Sequence, residues 1–428
     1  MQDVVFYGEE KLKREQAGEK FLPNVKKITT NVYGLQYFGA SNATLIIGET
    51  SCILVDAFET DWYSQQARKE IEKITKKPVT TIIYTHMHSD HMGGAIVFSD
   101  TVKEVIAHTN NGTILGKQEL LAEEQKRRLV HQAGMMLSVE ESISMGLGPA
   151  VESKGKIMPL PVTKLISNNV EYLEIDGVEI HLIAAPGETD EQQYVWLPKD
   201  RIVCSGDNYY ASWPNLSALR GGTYRDVNQW IDSLKKLVSL NAEYLIPGHG
   251  EILIGADKVN SVLTTYHDAI QWVFEKTMEG INNGLTPDEL VDIIQLPEKW
   301  EKAPFLQEYY GTVAWSIRGI YAGYMGWFDG NPTHISTLTK TKRAEKYLSL
   351  LGGAQVVMQE IELALLKNKQ EEMQWAMELC DLLLDANTYV GQAKQWKAEA
   401  CIFLGRMQVS ANGRHYYLSY AKKLEKES

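Results

Sequence analysis

The segment THMHSDHMGG, Thr85–Gly94, begins in the last residues of an apolar stretch, VTTIIYTH, that is typical of a buried strand. Its four potential metal ligands are His86, His88, Asp90 and His91. Histidines two positions apart at a strand end point to the same side, so the first two can meet one ion. The aspartate and the third histidine follow on the next turn and can reach a second ion. The alternative, polar residues that only cap a helix, accounts poorly for four ligands in six residues, so the segment predicts a metal site.

Three further potential ligands follow later apolar stretches, each in a turn that contains glycine. They are Glu188 after APG, Asp207 after RIVCSG, and His249 within PGHG. Taken alone, Glu188 fits a turn or helix cap, Asp207 a turn residue and His249 a surface histidine. Loops at one end of a sheet converge on one site, so the set favours a metal centre with seven ligands.

The order of apolar and amphipathic stretches predicts an α/β layer architecture. Strands are predicted at 32–38, 43–49, 52–58, 79–86, 178–186, 193–198, 201–207 and 243–250. Helices are predicted at 60–76 and 226–239. After about residue 255 the strand pattern stops, and apolar residues recur at three- and four-residue spacing. The sequence therefore predicts an α/β domain over 1–255 and a helical region over 256–428.

Composition narrows the class of protein. The chain has 428 residues and a formal net charge of −12, which disfavours binding to nucleic acid or to an anionic membrane. The four cysteines lie far apart and form no C-x-x-C pair, so we expect buried free thiols. The N-terminal residues carry no apolar signal-peptide core, which predicts a cytoplasmic protein, or a periplasmic or secreted one if a leader was removed.

The order, spacing and types of the ligand residues resemble the metallo-β-lactamase fold superfamily, whose members are αββα sandwiches with a two-metal site. APGETDEQQYVWLP, SGDNYY, PNLSALRGGTYRDVNQW and YYGTVAWSIRGIYAGYMGWFDGNP resemble the alkyl sulfatase branch, the last of them its dimerisation domain. The resemblance implies an αββα catalytic domain over 1–255, followed by an all-α dimerisation domain with helical hairpins over 256–428. Members of that branch often add a C-terminal sterol-carrier-like domain, which we expect to be absent from this chain, since its sequence stops at Ser428.

The resemblance further implies two zinc ions per chain. His86, His88 and Glu188 would bind one zinc, Asp90, His91 and His249 the other, and Asp207 would bridge them. Glu188 replaces the histidine usual in the superfamily, which favours the sulfatase branch, and Asp207 stands where characterised alkyl sulfatases carry glutamate. Asp90 and Asp207 are assigned to catalysis as well. Asp56 in LVDAF resembles the buried aspartate that braces the metal loop, with a plain turn role as the alternative. Carboxylate ligands leave manganese or iron open.

Arg220 in PNLSALRGG matches the sulfate-binding arginine of the resemblance. A guanidinium suits sulfate because its planar fork donates paired hydrogen bonds and stays charged, whereas the alternative is a surface ion pair. Asn208, Asn215 and Tyr310 are further substrate-binding candidates. Characterised alkyl sulfatases carry histidines in the loop that here reads YYASWPN, so the general acid stays unassigned.

Together these features imply a metal-dependent hydrolase that cleaves sulfate esters, the alkyl sulfates, with a hydroxide activated by two zinc ions. The expected partners are a small-molecule sulfate ester and a second copy in a homodimer, with no nucleic acid and no membrane. One alternative is another binuclear hydrolase of this fold that acts on a lactone, thioester or phosphodiester. Another is a non-catalytic helical scaffold, which the presence of all seven ligands disfavours.

Overall fold

The computed structural model of the protein describes residues 4–108 and 122–427. The strands of the first sheet are β1 (Asn24–Lys27), β2 (Val32–Gln36), β3 (Ala43–Ile47), β4 (Cys52–Val55), β5 (Val79–Ile83), β6 (Glu104–His108) and β7 (Lys164–Ile166). They lie side by side in chain order, antiparallel from β1 to β4 and parallel from β4 to β7. The carboxyl end of β5 therefore lies between two parallel neighbours.

The strands of the second sheet are β8 (Val170–Ile175), β9 (Val178–Ala184), β10 (Gln193–Leu197), β11 (Ile202–Cys204), β12 (Tyr244–Ile246) and β13 (Leu253–Ile254). Their order is β13-β12-β11-β10-β9-β8, and only β11 and β12 pair in parallel among them. The turns that follow β9, β11 and β12 carry the three later ligand candidates.

The α-helices among the described residues are α1 (Tyr7–Glu15), α2 (Asp61–Ile74), α3 (Ser89–Met92), α4 (Ala122–Gln132), α5 (Val139–Ser142), α6 (Val227–Ser239), α7 (Ala256–Asn282), α8 (Pro287–Ile293), α9 (Glu298–Glu301), α10 (Val313–Met325), α11 (Lys340–Leu350), α12 (Ala354–Leu366), α13 (Gln370–Asp385), α14 (Val390–Met407) and α15 (Ala411–Glu427). Helix α6 shows why one begins where it does. The Asp226 carboxylate accepts hydrogen bonds from the backbone N–H groups of Asn228 and Gln229, and the apolar residues that follow recur at helical spacing.

The two sheets and the helices on their outer faces form four layers. Residues from both sheets make the apolar core between them, among them Ile53 and Ile83 of the first and Leu182 and Val195 of the second. Helix α2 covers the outer face of the first sheet, and α6, α7 and α10 cover that of the second. Strands β4 and β10 are therefore buried at every position. This arrangement confirms the predicted α/β class and the αββα sandwich followed by helices.

The described chain divides into two compact units. Residues 16–108 and 144–326 form the unit with both sheets, and residues 4–15, 123–143 and 327–427 form a helical unit. In the helical unit, α12, α13 and α14 pack around a core that includes Ile361, Leu383 and Leu404. The helices over 256–326 thus share a unit with the sheets. The domain boundary expected from the sequence lies after residue 255 instead, because the strand pattern ends there. That boundary stays a prediction.

None of the helices in the described ranges is by itself long and apolar enough to cross a membrane. The pair α11 and α12 meets that length and composition test jointly, but the two helices meet at a bend of 85°.

Candidate active site

The metal-loop segment, Thr85–Gly94, starts where β5 ends, and hydrogen bonds to Asp56 hold it in place. This aspartate has a left-handed backbone, φ 60°, and is buried. Its carboxylate accepts hydrogen bonds from the Thr85 backbone N–H and hydroxyl, both at 2.8 Å, and from His91 Nδ1 at 2.8 Å. The Thr85 hydroxyl in turn lies 3.1 Å from His86 Nδ1. One side chain thereby fixes the orientation of two predicted ligands and leaves Nε2 of each free to face the site.

The His249 turn is fixed by the loop between β2 and β3. The His249 Nδ1–H group donates to the Ala40 carbonyl at 2.8 Å, so its Nε2 faces the cluster. The Asn42 amide donates to the carbonyls of Pro247 at 3.0 Å and Gly250 at 2.9 Å. Gly250 has φ 83°, a left-handed conformation that favours glycine.

Six of the seven predicted ligands come together in two overlapping groups. One group is Asp90, His91, Asp207 and His249, and the other is His86, His88 and Asp207. Within each group the ligand atoms lie within 4.8 Å of one another. Asp207 belongs to both groups, because its Oδ1 lies 3.2 Å from His91 Nε2 in the first group and its Oδ2 lies 3.7 Å from His86 Nε2 in the second. The arrangement therefore consists of two candidate metal-binding groups that share one carboxylate.

The donor set fits a metal. His91 Nε2 and His249 Nε2 are only 3.3 Å apart, and His86 Nε2 lies 3.1 Å from His88 Nδ1. The outer nitrogens of His91 and His249 are already donating, so the inner lone pairs converge on common points. Imidazole nitrogens and carboxylate oxygens held in this way are the donors that bind zinc in proteins. The fold and this cluster together indicate a metal cofactor.

The electrostatics of the cluster agree with this role. Burial lowers the pKa of His86 to about 3, so this ring stays neutral and able to bind a cation. Burial opposes the charged form of His249, but the carboxylates of Asp207 and Asp90 outweigh it and raise its pKa to about 10. Protons therefore balance the carboxylates until a cation displaces them, which couples metal affinity to pH.

Glu188 lies beside these groups rather than within them. Its Oε1 is 3.7 Å from His88 Nδ1 and 2.9 Å from Arg225 Nη1. The Tyr210 hydroxyl lies 3.5 Å from Oε2. Burial raises the pKa of Glu188 to about 7, and the charge of Arg225 opposes this rise. The assignment of Glu188 as a metal ligand stays a prediction.

A cavity of about 270 Å³ opens next to His88 and Glu188. Arg220 and Arg225 both line it, together with the loop 216–224 and the small residues of α10. Arg220 Nη2 lies 3.1 Å from His88 Nε2, which joins the cavity to the metal cluster. Burial and the charge of Arg225 lower the pKa of the Arg220 guanidinium. A concave site with two cations beside a metal cluster is suited to bind an anion.

The other predicted substrate residues lie close to the site. The Asn208 amide donates to the Ala185 carbonyl and to the Tyr194 hydroxyl, both at 2.9 Å, and its Oδ1 accepts the Glu188 N–H at 3.3 Å. Asn208 thus supports the Glu188 turn. The Asn215 N–H donates to the Tyr210 hydroxyl at 2.8 Å. The Tyr310 ring stacks edge-on to the Tyr210 ring at 5.6 Å. Their roles in substrate binding stay predictions.

Sequence reasoning missed two residues of this site, Arg225 and Tyr210. Arg225 stands five positions after Arg220, and its side chain is almost completely buried. A fully buried arginine needs a charged partner. The carboxylate that pairs with Arg225 belongs to Glu188, which is 37 positions away in the sequence. The one available signal for Arg225 was therefore its place in the segment that resembles the alkyl sulfatases.

Comparisons with known proteins agree with the fold. Residues 37–249 match the family model of the metallo-beta-lactamase superfamily, and residues 286–427 match that of alkyl sulfatase dimerisation. A linear primary-alkylsulfatase of Pseudomonas sp. is 32% identical over 87% of this chain and 72% of its own length. An alkyl/aryl-sulfatase of Saccharomyces cerevisiae is 30% identical over 93% of this chain and 63% of its own length.

A solved structure has the same fold. The stereoselective inverting sec-alkylsulfatase Pisa1 from Pseudomonas sp. superposes with a TM-score of 0.88 at 23% identity, covering 99% of this chain and 71% of that chain. The sandwich and its ligand cluster define a member of the metallo-β-lactamase superfamily. Within that superfamily, the chain belongs to the alkyl sulfatase family.

Proposed function

We propose that this protein is a metal-dependent hydrolase of sulfate esters, with alkyl sulfates as its substrate class. The observation that carries the proposal is the arginine-lined cavity that opens directly onto the cluster of His and Asp ligands. Membership of the alkyl sulfatase family supports the same reaction.

We propose zinc as the metal and two ions per chain, because two ligand groups share Asp207. Two bound dications lower the pKa of a shared water and stabilise negative charge that develops on the ester. The residues of the chain do the rest. Asp56 and Ala40 keep the outer histidine nitrogens protonated. Arg220 donates paired hydrogen bonds to the sulfate oxygens and aligns the ester with the cluster.

We propose that the protein works as a homodimer. The family model for alkyl sulfatase dimerisation matches residues 286–427. Within that region large apolar side chains are exposed, among them Trp327, Leu350 and Leu366, at 79%, 80% and 76%. A second copy of the same chain would cover exposed apolar side chains of this kind.

A cytoplasmic location stays a proposal. All four cysteines, Cys52, Cys204, Cys380 and Cys401, are free and buried. Reduced thiols are typical of a reducing compartment.

The test uses metal-loaded protein with alkyl and aryl sulfates, phosphodiesters and lactones in oxygen-18 water. We expect release of inorganic sulfate from alkyl sulfates and loss of that release on chelation. The position of the label, in sulfate or in alcohol, identifies the bond that breaks. Arg220→Met should lower kcat/KM for the sulfate ester at least about 100-fold with unchanged metal content, because it removes a bidentate charged contact. Activity on a lactone or phosphodiester alone would contradict the proposal.

A further inference from the structure

Arg225 is a buried arginine whose charge is only partly engaged. Its Nη1 atom lies 2.9 Å from Glu188 Oε1 and also donates to the Asn215 carbonyl. Both contacts use the same nitrogen. The other N–H groups of the guanidinium, on Nε and Nη2, have no partner among residues 4–108 and 122–427.

These remaining N–H groups form one planar edge of the guanidinium. Nε–H and Nη2–H point in parallel, which is the geometry that accepts two oxygens of a carboxylate, phosphate or sulfate. Arg225 lines the cavity that Arg220 also lines. Neither Nε nor Nη2 is closed off from solvent, so an anion that enters the cavity can supply acceptors to both.

The charges that face Arg225 across the cavity favour an anion there. Glu188 is the buried carboxylate of the lining, while Asp190 lines the same cavity but is exposed and screened by solvent. Arg220 and Arg225 together place two positive charges against the single buried carboxylate. An ester with one negative charge completes the balance, whereas a neutral lactone would leave the two guanidinium groups facing each other.

We propose that Arg225 is a second anion-binding residue of this site, which presents its Nε and Nη2 edge to the sulfate group while Glu188 holds Nη1. The inference rests on the proposed function, which it deepens by adding a recognition residue beside Arg220. The ion pair with Glu188 orients the guanidinium, and the edge opposite the ion pair contacts the substrate. Recognition of the ester then requires the guanidinium groups of both Arg220 and Arg225.

The test measures the binding of inorganic sulfate, the expected product, by calorimetry on metal-loaded protein, with metal content determined in parallel. Arg225→Met should weaken sulfate binding about 10- to 100-fold at unchanged metal content, since a charged hydrogen-bonding pair is lost. Arg225→Lys keeps a charge for Glu188 but lacks the fork, so we expect about a 5-fold loss even if the methionine variant folds poorly. The control is Arg201→Met, since Arg201 is a half-buried arginine of the same unit that does not line the cavity, and this variant should bind sulfate as the wild type does.

Two results would overturn the proposal. Sulfate binding by both Arg225 variants within about twofold of the wild type would make the Glu188 pair purely structural. Loss of sulfate binding only in proportion to lost metal would mean that Arg225 acts on the cluster instead. A wild type that binds sulfate through Arg225 but hydrolyses no sulfate ester would refute the proposed function and leave the Arg225 assignment standing.

Discussion

Replacing Asp56 by Asn changes one atom at the base of the metal loop, and the structure sets the expected consequence. The carboxylate accepts three donors, the Thr85 N–H on Oδ1 and the Thr85 hydroxyl and His91 Nδ1–H on Oδ2. An amide has one oxygen, so in either orientation its NH₂ group faces at least one of these donors. Asn tolerates the left-handed backbone at this position, so the change is electrostatic rather than conformational.

The magnitude follows from the bond to His91. A hydrogen bond to a charged group contributes about 1.5–3 kcal/mol, and this bond keeps the proton on Nδ1 and the Nε2 lone pair towards the ion. If the amide NH₂ faces the ring, the proton moves to Nε2 and the histidine no longer binds metal. We therefore expect Asp56→Asn to weaken zinc binding about 10- to 100-fold, a range typical of residues that orient metal ligands. Competition with a chromophoric chelator at neutral pH measures this affinity.

Asp176 provides a matched control. It also has a left-handed backbone, φ 48°, and its carboxylate accepts bonds from the N–H groups and hydroxyls of Thr50 and Ser51. Asp176→Asn should lower the stability of the fold but leave zinc affinity unchanged. Equal loss of zinc in both variants, or zinc affinity of Asp56→Asn within about twofold of the wild type, would refute the argument that Asp56 sets the histidine tautomer.

Two further predictions concern the helical unit. Two arginines and a lysine outweigh the effect of burial and hold the pKa of Glu9 at about 2, below its ordinary 4.5, so the stabilisation is present above pH 4.5 and is lost as the pH falls towards 2. Glu9→Gln should lower the free energy of unfolding at pH 7 by on the order of 1–2 kcal/mol after solvent screening. In urea titrations, the stability of this variant should fall less than that of the wild type as the pH is lowered. The exposed control Glu10→Gln should show neither effect. The double variant Leu350→Asp, Leu366→Asp should sediment more as a monomer at micromolar protein, because each leucine buried in the dimer interface contributes about 1.5–3 kcal/mol. The exposed control Leu22→Asp should leave the dimer intact. Dimers unaffected by the double change would place the interface elsewhere.

The ligand segments were predictable because each follows a short apolar stretch that is typical of a buried strand. β5, β9, β11 and β12 all lie within predicted strands, and the turns after β5, β11 and β12 bring six of the ligands together. Helix α6 was predictable for a similar reason, since Asp226 caps it and its apolar residues recur at helical spacing.

Other elements carry too weak a local signal. β1 is Asn-Val-Lys-Lys with exposed ends, and β7 has three residues, so pairing with neighbours rather than composition makes them strands. The Glu188–Arg225 pair joins two turns that only the folded second sheet places side by side. Contacts of this kind depend on tertiary structure, which explains why the sequence motif led to a prediction for Arg220 but to none for Arg225.

The two histidines that meet across the cluster are separated by 158 positions along the chain. At ribosomal rates of 5–20 residues per second, roughly 8–30 s pass between the synthesis of His91 and that of His249. Until Asp207 is made, the nascent chain displays the first four ligands without the residue that completes either group, and the group that contains His249 stays incomplete until the end of the interval. Metal captured then would be held by a partial set of ligands, so correct loading depends on the finished chain rather than on its emergence from the ribosome.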